Sequence, residues 1–127
     1  MNTKIPRTLI IAAAFLGCSA AIHAMEAPKE EHSFSEKIIS AIQKGDYNSF
    51  IADGDEAFKK LKQEQFDSVA TQLAPRFKAG YEITYLGDLQ QHGFHVTLWK
   101  LRFKDGKDDA LATLSVKEGK VSGFWIK

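Results

Sequence analysis

The side chains able to do chemistry in this chain are few and scattered. His92 and His95 stand three apart in "HGFH", and Tyr47, Tyr81 and Tyr85 are spread along the chain. Carboxylates gather in "DGD" at 53–55 and in "KDGKDD" at 104–109. Two histidines share a metal ion only if their rings converge, and residues three apart on a strand point to opposite faces. Neither acidic cluster has the calcium-loop pattern with its terminal glutamate. Helix capping accounts for the first cluster and a solvated hairpin turn for the second. No G-x-S-x-G nucleophile turn and no phosphate-cradling glycine loop occurs. His95 remains, an imidazole placed to act as base or hydrogen-bond donor beside Thr97 and Trp99. A general base needs a geometric partner, and the sequence names none. The candidate ligand-binding set is therefore His95, Thr97, Trp99 and Tyr47, whose apolar body and polar tip suit a pocket mouth or a core edge. No catalytic residue, metal ligand or cofactor is assigned.

His95 lies in "FHVTLWKLRF" (94–103), which reads as a strand with large apolar groups on both of its alternating faces, with "YEITYLG", "ALATLSV" and "VSGFWI" as its companions. Asp105–Gly106 and Glu118–Gly119 mark the last two turns. With two-residue turns, Trp99, Leu101 and Phe103 share a face with Ala110, Ala112, Leu114 and Val116, continued by Val121, Gly123 and Trp125. That face is nearly all apolar and is assigned to the helices. The other face collects Phe94, Val96, Leu98, Leu111, Phe124 and Ile126 around Lys100 and Arg102. Soluble monomers rarely expose such a patch, so a second copy of the chain is expected to cover it. A slip of one residue at the last turn would swap the faces of the final strand. The register of the first hairpin stays open.

Helices precede the strands. Ser33 and Glu36 have capping-box spacing, and Phe34, Ile38, Ala41 and Ile42 follow as one apolar stripe. Gly45–Asp46 ends that helix and caps a short second one, and Asp55 can cap a turn carrying Phe58 and Leu61. A third helix carries Phe66, Val69, Ala70, Leu73 and Phe77 on one face, with a kink or restart expected at Pro75. The fold class is α+β: three N-terminal helices packed on a curved four-stranded antiparallel sheet.

The first 24 residues are set apart from this domain. Lys4 and Arg7 precede the apolar run "TLIIAAAFLG", and small residues follow, the order of a secretory signal cleaved after Ala24. "FLGC" offers the alternative of a lipoprotein anchored at Cys18. The apolar run is too short to span a bilayer. A polar leader at 25–32 then precedes the domain at 33–127. Cys18 is the only cysteine, so the processed chain has neither disulfide nor thiol chemistry. Loss of Lys4 and Arg7 takes the formal charge from +1 to −1, which gives no electrostatic case for nucleic acid.

The element order and the stretches "GDYNSFIADGDEAF", "GYEITYLG", "LWKLRFKDGKDDALATLSV" and "GKVSGFWI" resemble the nuclear transport factor 2-like (cystatin-like α+β roll) superfamily, and in it small secreted bacterial members. The resemblance implies a cone-shaped pocket between helices and sheet and dimerisation through the outer sheet face. It also implies that any enzymatic relatives are isomerases, cyclases or dehydratases, although no catalytic position of theirs is matched here. The expected function is that of a secreted or periplasmic non-enzymatic domain binding a small apolar ligand or a protein partner, as a homodimer. The alternatives are an isomerase- or dehydratase-type enzyme and a purely structural dimerisation module. Any pocket is expected between the third helix and the face bearing His95, Thr97 and Trp99.

Overall fold

A computed structural model describes residues 26–127. The export signal read at 1–24 and the anchoring alternative at Cys18 fall outside the described residues. Helix α1 runs over Lys29–Lys44 with Pro28 at its N-cap position, and Glu30 and Glu31 occupy its first turn. Negative charge there suits the helix dipole. The helix thus starts earlier than the Ser33 capping box suggests. Residues 29–32 are helical, and Ser33 lies inside the helix rather than at its cap. Gly45 ends it in the left-handed region (φ 66°), where the Asp46 N–H reaches back to the Ala41 carbonyl at 2.9 Å.

Two short helices follow where one helix and a turn were expected. In α2 (Tyr47–Ile51) the Asp46 carboxylate accepts the Ser49 N–H, and in α3 (Glu56–Lys59) Asp55 accepts that of Phe58 at 2.8 Å. These bonds satisfy helix N–H groups that otherwise lack partners. The Ser49 hydroxyl, then the Ser49 N–H, hold the Asp46 carboxyl below its usual range, and the Phe58 N–H does the same for Asp55. Helix α4 (Gln63–Lys78) is the fourth helix among the described residues. It passes through Pro75 as a single element, because the missing N–H removes only one ladder bond near its end.

The strands β1 (Tyr81–Gln91), β2 (Phe94–Phe103), β3 (Ala110–Lys117) and β4 (Lys120–Ile126) form an antiparallel meander in sequence order. The first and last turns are two-residue hairpins, His92–Gly93 and Glu118–Gly119, with all four φ angles positive. This is the type I′ geometry that matches the twist of paired strands. Between β2 and β3, Leu101 faces Ala110 and Trp99 faces Ala112, the register expected from Asp105–Gly106.

Bulges set the other two registers. One falls between Tyr85 and Gly87 in β1. In β4, Val121 faces Val116 as expected, but Gly123 then faces Ser115, so Ser122 is an extra residue. A bulge of this kind turns every later side chain to the opposite face. Phe124 and Ile126, expected on the outer face, therefore pack toward the helices beside the core. Trp125, expected inside, stands outside opposite Thr113 with 57% of its surface exposed.

The core lies between α1, α4 and the inner sheet face. Ile39, Ile42, Phe66, Phe77, Trp99, Leu101, Leu114 and Val121 are almost wholly buried there. Phe50 links the short helices to it, 4.9 Å from the Phe66 ring and 5.3 Å from Phe58. Among the described residues no helix is long and apolar enough to cross a membrane.

Candidate functional site

The fold gives His95 the partners that the sequence did not. Its Nδ1 lies 2.7 Å from a Glu31 carboxylate oxygen and its Nε2 lies 2.5 Å from Asp88. Glu31 arrives from the first turn of α1. Asp88 arrives from the far end of β1, which runs four residues beyond Gly87. As an imidazolium, His95 donates to both carboxylates, and Asp88 and then Glu31 hold its pKa above the usual range against the opposing effect of burial. Both ring nitrogens are thereby occupied. A histidine held in this way ties helix to sheet and has no free nitrogen for a substrate.

The other predicted site residues do not gather around it in an open pocket. Thr97 and Trp99 are fully buried, and the Trp99 indole donates to the Thr97 hydroxyl at 2.8 Å. Trp99 also packs against the rings of Tyr85 and His32, so it fills the space expected for a ligand. Glu31 and Asp88 approach opposite nitrogens of the ring and so do not converge on one point with it. Among the described residues no group of three His, Cys, Asp or Glu side chains is placed to hold a metal.

An apolar cleft opens instead between α4 and β4. Its volume is about 340 Å³, with Ile42, Phe50 and Phe66 in its lining. Val69 and Leu73 of α4 form one wall; Phe124 and Ile126 of β4 form the other. The α4 stripe is wider than the surface available to cover it. Phe66, Ala70 and Phe77 are buried, whereas Val69 is left 48% exposed. The Ser122 bulge supplies the opposite wall by turning Phe124 and Ile126 inward.

Tyr47 contributes indirectly. Its hydroxyl donates to the Leu61 carbonyl, its ring rests 5.9 Å from that of Phe66, and Leu61 closes one end of the cleft. At the far end of α4, Arg76 binds the Asp105 carboxylate at 2.7 Å and the Asp108 carbonyl at 2.6 Å, with its guanidinium over Phe103. The β2–β3 turn is thus a clamp on α4 rather than a merely solvated loop, and Arg76 holds the Asp105 carboxyl below its usual range. A roomier hollow of about 460 Å³ lies along α1, but Glu36, Lys37, Lys44 and Asp53 line it and a Lys37–Asp53 contact bridges two of them. Apolar ligands do not favour such a lining.

No family model matches the chain, and no curated protein matches it by sequence. Among solved structures it is similar to an NTF2-like protein of unknown function from Cytophaga hutchinsonii, at a TM-score of 0.40 and 7% identity, covering 84% of this chain and 92% of that one. It is also similar to an uncharacterized cystatin fold protein from Novosphingobium aromaticivorans, at a TM-score of 0.39 and 13% identity, over 80% of this chain and 99% of that one. The helices-then-meander order, with four helices among the described residues in place of the three expected, is the element order on which the resemblance rests.

Proposed function

We propose that this chain is a non-catalytic binding domain that takes an apolar ligand in the cleft between α4 and β4. One observation carries the reading: Val69 and Leu73 face Phe124 and Ile126 across an open volume of about 340 Å³. Ligand sites are usually concave, mostly apolar and about 300–1,000 Å³ in size. The engagement of both His95 nitrogens favours binding over acid–base catalysis in the cone. Read with the export signal at 1–24, the domain acts in the periplasm or outside the cell.

A second reading concerns a partner. Leu89, Phe94, Val96, Leu98 and Leu111 lie on the outer sheet face, and Trp125 joins them in place of Phe124 and Ile126. The exposure of Leu89 and Trp125 favours a second copy of the chain there. The two surfaces meet at Trp125, which also lines the cleft rim, but Val69 belongs only to the cleft and Leu98 only to the outer face.

Native mass spectrometry of protein isolated from its own compartment tests the first reading. An apolar adduct that Val69→Glu removes and Leu98→Glu retains is the expected result. Protein that carries no adduct and fails to take up a neutral apolar dye such as Nile red contradicts it.

A further inference from the structure

The edge of β4 carries information that the side chains alone do not. Leu111 and Lys127 exchange both backbone hydrogen bonds, at 2.8 and 3.0 Å. Residues along an antiparallel pair alternate between bonded and non-bonded positions. Trp125 and Gly123 therefore point their backbone groups at β3, while Phe124 and Ile126 point theirs away, toward the free edge. Nearer the start of the strand that edge is covered. Val121 donates to the Asp53 carbonyl at 2.9 Å and accepts the Asp55 N–H at 2.8 Å, so residues 53–55 cover the edge there through a single parallel bridge at Gly54. The cover stops where α3 begins. Beyond it, among the described residues, the N–H and C=O of Phe124 and Ile126 have no backbone partner.

Exposed sheet edges are usually blunted by charge, bulges or a covering loop. Here the bulge at Ser122 and the 53–55 segment protect the edge only up to the cleft. The unpaired stretch coincides with the cleft wall, so an added strand would pair with β4 and lay alternate side chains against Val69 and Leu73. The electrostatics favour one kind of strand. Lys60 lines the adjoining hollow beside Ser122 and Gly123 and makes no ion pair among the described residues, with Lys59 and Lys62 as its exposed neighbours.

Resting on the cleft reading above, we infer that the ligand is an extended peptide segment, apolar at alternate residues and bearing a carboxylate that meets Lys60. Main-chain bonds to Phe124 and Ile126 give it affinity, and the cleft selects its side chains, the division of labour seen in strand addition generally. Tryptophan emission reports binding, because Trp125 is exposed at the cleft rim and Trp99 is buried.

The probe is a peptide of alternating valine and threonine with an aspartate at each end, titrated into the full protein by tryptophan fluorescence. Two further peptides are N-methylated at every second residue, one in each of the two possible sets. One set should leave binding intact and the other weaken it about tenfold or more, because only one set of N–H groups faces β4. Lys60→Glu should weaken the parent peptide while leaving the uptake of neutral Nile red unchanged. Equal binding of both methylated peptides, or dye uptake without any peptide binding, overturns strand addition and leaves the cleft reading standing. Failure of dye and peptide alike removes both.

Discussion

Replacing His95 by alanine tests how α1 is held to the sheet, and the size of the effect follows from the two contacts it removes. The Glu31 side chain is only 11% exposed, so its bond to the imidazolium belongs to the stronger, charge-assisted class. Such bonds contribute about 1.5–3 kcal/mol. The Asp88 side chain is 47% exposed, and solvent-screened pairs of that kind contribute about 0–1 kcal/mol. His95→Ala should therefore cost about 1.5–4 kcal/mol, most of it through Glu31 left without its partner. The sign with pH follows from the raised folded-state pKa. A group of this kind stabilises fully below its unfolded value of about 6.5, and the contribution fades as pH rises through the folded value. Urea unfolding followed by circular dichroism, for wild type and variant at about pH 6 and about pH 9, reads the difference directly. The gap should be wide at the lower pH and narrower at the higher one. A double-mutant cycle with Glu31→Gln isolates the larger contact. A gap below about 0.5 kcal/mol at the lower pH, or one of equal size at both, would refute the clamp.

Further outcomes follow from the register and the surfaces. Phe124→Ala should destabilise by about 2 kcal/mol and Trp125→Ala by less than about 1, because the bulge turns the first toward the core and the second outward; the reverse order in urea titrations would mean that the bulge is absent. Gly123→Ala should shift the Trp125 emission, since an added Cβ would meet the indole that lies over Gly123; an unchanged spectrum contradicts that placement. Leu98→Glu should turn a dimer into a monomer in light scattering, and a wild-type chain already monomeric at micromolar concentration removes the outer-face partner. N-terminal sequencing of the exported protein should begin at Met25, whereas a chain starting at a lipid-modified Cys18 would make it membrane-anchored.

Where the sequence was legible, a strong local signal stood behind each element. The alternation in "FHVTLWKLRF" marks β2 from end to end, and Asp105–Gly106 fixes the face shared by Trp99 and Ala112. Asp46 and Asp55 announce their caps through residue type alone. The partners of His95 were hidden by element lengths. Glu31 sits in a helical turn read as a leader, and Asp88 sits in an extension of β1 beyond the strand read at "YEITYLG". Polar composition suggests loops in both places, but helix-dipole and hairpin geometry prevail there. The Ser122 bulge lies next to Gly123, a residue type that often marks a bulge, and next to the parallel bridge from Gly54 to Val121, a contact between distant parts of the chain that no local pattern announces. That one inserted residue moved Phe124 and Ile126 from the proposed interface into the cleft wall and brought Trp125 out.

The cleft itself is the central claim, and methyl-resolved NMR tests it most directly. Protein labelled at isoleucine, leucine and valine methyls is titrated with a neutral apolar probe. Val69, Leu73 and Ile126 should shift together and saturate at one concentration, while Leu101 and Ile39, deep in the core, stay in place. Shifts centred on Val96 and Leu98, or no saturable shift at Val69 and Ile126, would contradict the account.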